Sequence, residues 1–141
     1  MADYFTHFSC LLDVGTAENA ARALAIYNTM VVEAAIEDPL SEGFALAIVS
    51  EHGGTTLWMH DAGSGDPQAV VEFVTACAAS FGLTGRWGFQ FALTCSKLRV
   101  GAFGGGAHVL DLATGETLGW TSTDRWLADH LAGGSSDASD R

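Results

Sequence analysis

The thirty residues from Asp66 to Cys95 constrain this chain more than any other stretch. Asp66-Pro67 is a helix start: the aspartate can accept from an unpartnered first-turn amide, and proline at the first helical position gives up no hydrogen bond. Val70, Phe73, Val74, Cys77, Ala78 and Phe81 recur at three- and four-residue spacing, which places one apolar stripe on a helix over 67–81. Gly82 and Gly85 release the chain from helical geometry. Trp87, Phe89, Phe91, Leu93 and Cys95 then alternate with Arg86, Gly88, Gln90, Ala92 and Thr94, the pattern of a strand packed on one face. The helix before it is the natural cover for that face, so this pair sets the layers of the fold.

The rest of the chain supplies the same kinds of element. Tyr4–Val14 reads as a first strand with apolar residues of both parities, suited to cover on both sides, or on one side and part of the other. Thr16 caps a helix from Ala17 to about Glu37, with Ala20, Leu24, Tyr27, Val31 and Ala34 or Ala35 as its packing stripe, and Pro39 stops it. Phe44–Ser50 and Thr55–Ala62 read as a hairpin turning through Glu51-His52-Gly53-Gly54. After Cys95, Gly101–Gly106 reads as a glycine-rich loop, and Ala107–Leu112 with Glu116–Ser122 as a second hairpin. Thr123–Leu131 reads as a short helix with Trp126, Leu127, His130 and Leu131 on its inner side.

This order predicts an α+β two-layer sandwich with a ferredoxin-like β-α-β-β-α-β core, its first and third strands central in an antiparallel sheet, plus a C-terminal β-hairpin and short helix. The rival is a larger, more curved sheet of five or six strands with the last hairpin beside the fourth. The length fits a single domain over 1–132, with a disordered tail over 133–141.

Six Lys and Arg oppose seventeen Asp and Glu, for a formal charge of -11. Tight nucleic-acid binding needs basic side chains to displace counterions, and anionic membranes repel such a chain, so neither is expected as a partner. The charge is uneven. Residues 1–72 carry eleven acids against Arg22 alone, whereas 73–110 carry Arg86, Lys97 and Arg99 and no acid. An acidic surface therefore belongs to the first half, with Glu33, Glu37, Asp38 and Glu42 among its candidate contact residues. Such carboxylates offer a field to a basic protein, in the sharpest form a phosphate-like one, and simple solubility is the plainer account. No apolar run marks secretion or a membrane span, which leaves a cytoplasmic location as the default.

The predicted topology puts His7, Trp58, His60 and Gln90 near one another on the sheet face opposite the helices. Two imidazoles without an i,i+4 histidine pair or a cysteine pair make no specific metal site, so no metal and no cofactor is expected. Large rings on that face, Phe5 and Trp58, need cover from the Trp120 hairpin and the Trp126 helix, or from another chain. An enzyme alternative is a small hydrolase or transferase using Cys95 or Ser96 with His108 and Asp111, the glycine loop supplying oxyanion amides. Against it, Cys95 shares its parity with Trp87, Phe89 and Phe91, which points it into the core. Gly101–Gly106 is followed by a strand, and its nearest bases precede it, so it matches no phosphate-binding signature. Cys10, Cys77 and Cys95 are odd in number and read as free thiols.

The series from His7 to Gly15, Glu51-His52-Gly53-Gly54, Trp87-Gly88-Phe89-Gln90 and Phe103–Leu112 resembles a group of small bacterial proteins often carried by plasmids, phages and integrated elements. The resemblance spans residues 4–131. No activity is established for that group, so it carries over no catalytic role. It implies a regulator or inhibitor of a host defence or nucleic-acid-handling enzyme. The leading expectation is therefore a non-enzymatic module that binds a protein with a basic surface, with a homodimer as a further arrangement.

Overall fold

The computed structural model describes residues 3–37, 43–97 and 103–133. Its elements are β1 (Tyr4–Asp13), α1 (Ala17–Glu37), β2 (Ala45–Val49), a 3-10 turn (Ser50–His52), β3 (Thr56–His60), α2 (Pro67–Phe81), β4 (Arg86–Cys95), β5 (Gly104–Asp111), β6 (Thr117–Ser122) and α3 (Thr123–Leu131). The class is α+β: the strands form one antiparallel sheet in the order β2-β3-β1-β4-β5-β6.

Helix α2 shows how the core is made. Asp66 accepts from the Gln68 amide at 2.9 Å, Pro67 opens the first turn, and Gly82 closes the helix in the left-handed region at φ 65°, its N–H bonded to the Ala78 carbonyl. Val70, Phe73, Val74 and Cys77 are wholly inaccessible to solvent. They join Phe8 and Leu12 of β1, Leu57 and Met59 of β3, Phe89 of β4 and Leu110 of β5 in one apolar cluster. Each such side chain contributes about 1.5–3 kcal/mol by leaving water. Trp87 and Phe91 are half-buried beside Phe89, so the β4 rings do lie on the core side.

Helix α1 packs through part of the stripe its spacing predicts, Ala20 and Tyr27 with Leu24 and Ala34 half-buried, but the stripe is turned so that Val31 drops out of it. Ala20 and Ala23 are buried, Ile26, Tyr27 and Met30 pack beside them, and Val31 faces solvent with Val32 and Ile36. The small alanines admit a close approach, and the Tyr27 hydroxyl donates to the Phe44 carbonyl at 2.5 Å, which fixes the helix rotation. β1 is likewise covered on one side only: Phe8 and Leu12 are buried, while Leu11 is exposed.

β1 is shared between two neighbours along its length. Tyr4–Phe8 pairs with Cys95–Phe91 of β4, and Ser9–Asp13 pairs with His60–Thr56 of β3. Where a neighbour departs, backbone groups of β1 need other partners. Phe8 N–H donates to Asp61 Oδ1 at 2.9 Å and Thr6 N–H to Ser64 Oγ at 3.0 Å. On the other side, Trp87 Nε1–H donates to the Leu11 carbonyl at 2.7 Å.

Two expectations need correction. The glycine run is strand, not loop, from Gly104 onward, where it pairs with Leu93, Ala92 and Phe91; residues 101 and 102 lie outside the described residues. A Cβ on Gly105 would stand 2.6 Å from the Phe91 carbonyl oxygen, and one on Gly106 would stand 2.5 Å from the Thr121 carbonyl oxygen and 2.6 Å from the Phe91 ring. Glycine there admits close neighbours rather than a turn, and its missing side chains erase the alternation that would reveal a strand. The second correction concerns α3, which has no buried residue. It follows the last strand of the sheet and packs on β5 and β6, so Trp126, Leu127, His130 and Leu131 are exposed rather than inward. Of the expected tail, 134–141 lies outside the described residues.

Candidate binding face

The alternation that buries Phe8, Leu12, Leu57, Met59 and Phe89 turns the residues between them to the side of the sheet away from α1 and α2. There the register sets Ser9 opposite His60, Leu11 opposite Trp58, and His7 opposite Ala92. On β2, Ala45 and Ala47 pair with His60 and Trp58, so short side chains flank the large rings. Trp58 is 39% exposed and Leu11 52%. Beside Leu11 lies an open depression of about 590 Å³ lined also by Asp13, Thr55 and Thr56.

Trp58 is held in place. Its Nε1–H donates to Ser9 Oγ at 2.7 Å, and its ring lies 4.1 Å from that of His60, whose Nδ1–H donates to the Asp61 carbonyl at 2.8 Å. A fixed aromatic ring with one open face loses little entropy on binding, which is what an interface anchor requires.

His7 sits at the point where β1 changes neighbour. Asp61 Oδ2 is 2.9 Å from His7 Nδ1, and Thr94 Oγ1 is 3.1 Å from Nε2. Burial pushes the Asp61 carboxyl up, yet hydrogen bonds from His7 and from the Phe8 amide, with the charge attraction of His7, outweigh it and hold the group below its ordinary value. Asp61 is therefore an acceptor, so Nδ1 carries the proton toward it, and Nε2 lies within hydrogen-bond reach of the Thr94 hydroxyl. Acyl transfer would also need free amides converging on an oxyanion. Thr94 instead lies inside the β1–β4 ladder opposite Phe5. The trio ties β1, β4 and the end of β3 together.

His7, Trp58 and His60 thus share one face, as the strand parities imply. Glu33 and Glu37 are exposed on α1, across the sheet from that face, and Asp38 and Glu42 lie outside the described residues. Glu33 and Glu37 therefore form no single patch with the aromatics. The rings also lack the intramolecular cover expected of Trp120 and Trp126, because β1, β4 and β5 separate β3 from β6 in the sheet.

Cys95, Ser96, His108 and Asp111 are not brought together. Cys95 pairs with Tyr4, and Ser96 is tied to Asp3, its Oγ accepting the Asp3 amide at 2.9 Å. His108 pairs with Phe89, six residues and about 20 Å along β4 from Cys95, and Asp111 pairs with Arg86 still farther away. His108 Nε2 is 2.9 Å from Thr117 Oγ1, and burial holds its imidazole below the ordinary value. Asp111 accepts from the Ala113 amide in the β5–β6 turn. Antiparallel pairing runs β5 back along β4, which carries the later residues away from Cys95.

Ser9 and Thr94, which help to hold the face in shape, escape a local reading of the sequence: they stand opposite His60 and Phe5 and reach Trp58 and His7 diagonally across the sheet, whereas Asp61, next to His60 in the chain, is a neighbour that the strand order already suggests for His7. The cysteines are free, with burial pushing the Cys10 and Cys77 thiols up to about 11 and about 12. Among the described residues no group of three His, Cys, Asp or Glu is placed to hold a metal, and no helix is long and apolar enough to cross a membrane. No protein-family model, curated protein or solved structure matches the chain.

Proposed function

We propose that the protein is a non-enzymatic protein-binding module that takes a partner with a basic surface on the uncovered face around Trp58. The observation that carries this reading is Trp58 itself: a large ring, fixed by Ser9 and His60 and bare on its outer side. Asp13 lines the depression beside Leu11, and Asp61, held below its ordinary value, follows the end of the strand that carries the ring, so a partner reaching Trp58 meets carboxylates. We read β1 to β4 with α1 and α2 as a ferredoxin-like core that the β5–β6 hairpin and α3 extend. The resemblance to proteins of mobile elements supports inhibition or regulation of a nucleic-acid-handling or defence protein, in the cytoplasm, where free thiols persist.

The test is capture from the source cell at low and high salt, identification of the bound protein, and titration of the purified partner. Affinity should fall steeply with salt, and Trp58→Ala should weaken it on the order of 30-fold or more while leaving the circular dichroism spectrum unchanged. Equal binding by Trp58→Ala refutes the reading.

A further inference from the structure

We infer that the outer edge of β6, together with α3, is the interface of a symmetric homodimer in which β6 pairs antiparallel with β6 of a second copy. Among the described residues no strand pairs with that edge. The six residues Thr117–Ser122 contain no charge and no proline, the usual devices that keep an edge strand from pairing. The flanking surface is apolar: Trp120 is 59% exposed, Trp126 57%, and Leu118, Leu127 and Leu131 are exposed with them.

Helix α3 is nine residues long, capped by Ser122 Oγ accepting from the Arg125 amide, and shorter than a helix that holds by itself in water. Its rings are braced from the protein's own side. The Arg125 guanidinium lies 5.6 Å over the Trp120 ring, and Trp126 stacks on His130 at 4.1 Å. The two tryptophans leave on the order of 250 Å² open, and the leucines and strand edge bring the patch toward the roughly 800 Å² per partner of a stable interface.

Charge selects the occupant. The sheet order puts β2, β3 and β1, drawn from the stretch with eleven acids and one base, at one end. The described residues from β4 to α3 hold three bases, Arg86, Lys97 and Arg125, against four acids, nearly balanced, and supply the other end. Two copies meeting at β6 join their neutral ends and keep the acidic ends as far apart as the sheet permits. Meeting at β2, the other uncharged edge, would press two acidic halves together. Identical strands paired antiparallel are self-complementary about a two-fold axis and close the assembly, whereas β6 on β2 would grow without end. The dimer displays two Trp58 faces, so one assembly can engage a repeated partner twice.

Sedimentation velocity over a concentration series tests this on the whole chain. The wild type should move from one to two copies and stop there. Trp126→Glu and Gly119→Lys, both at exposed positions, should each weaken dimerisation on the order of 30-fold or more with an unchanged circular dichroism spectrum, and Trp58→Ala should leave it intact. A wild type that stays single at every concentration overturns the proposal. So does growth beyond two copies, or a dimer that Trp58→Ala dissolves and Trp126→Glu does not.

Discussion

Helices α2 and α3 carry the same kind of message and meet opposite fates. Both have a side-chain cap at the start, Asp66 on the Gln68 amide and Ser122 on the Arg125 amide, and both carry an apolar stripe. In α2 the stripe vanishes beneath the sheet, with Val70, Phe73, Val74 and Cys77 at zero exposure. In α3 the stripe stands in solvent, with Leu131 77% exposed. The difference is position in the sheet. α2 lies over central strands that present apolar residues to it, whereas α3 follows the last strand and runs out of sheet to cover. Amphipathicity marks which face of a helix is apolar; the extent of the sheet decides whether that face is covered.

The comparison breaks most sharply by truncating one ring on each helix. Phe73→Ala should lower the unfolding free energy by about 3–5 kcal/mol, whereas Trp126→Ala in dilute monomer should change it by no more than about 0.5 kcal/mol. Urea midpoints read both, and a large loss from Trp126→Ala would place α3 in the core after all.

The next largest effect lies at Asp61, between the covered core and the open face. Its carboxyl is held below its ordinary value in the folded chain, so its stabilisation is present above the unfolded value and is lost as pH falls through the folded one. Asp61→Ala should cost about 1.5–3 kcal/mol at neutral pH and little in acid, where wild type and variant converge. Parallel urea curves for the two proteins at every pH would remove Asp61 from the clamp.

The smallest contrast lies within the β5–β6 hairpin. Gly106→Ala drives a Cβ into the Thr121 carbonyl and the Phe91 ring and should destabilise by about 1–3 kcal/mol. Gly119 has nothing within 4 Å of the same position, so Gly119→Ala should be neutral or stabilise by up to about 1 kcal/mol. Thermal midpoints that fall equally for both would mean that the hairpin is not packed as described.

The α2–β4 unit was legible because local chemistry and periodicity agree there: a cap, a proline, a stripe, a glycine and an alternating strand. The glycine run was illegible because glycines carry no hydrophobic signal, and their meaning lies in Phe91 and Thr121, which other strands bring near. The face around Trp58 was half legible. Parity gathered His7, Trp58 and His60, but the bonds that fix them run to Ser9, Asp61 and Thr94 across the sheet.

By itself the amino-acid sequence determined the class of elements, the caps of α2, the parity of β3 and β4 and the acidic first half, since each depends on residues near in the chain or on simple totals. Tertiary structure alone decided that β1 divides between two neighbours, that Cys95 and His108 lie far apart, and that α3 is uncovered. Those outcomes depend on which strand lies beside which and where the sheet ends, and pairing between distant segments is set by the packing of the whole chain.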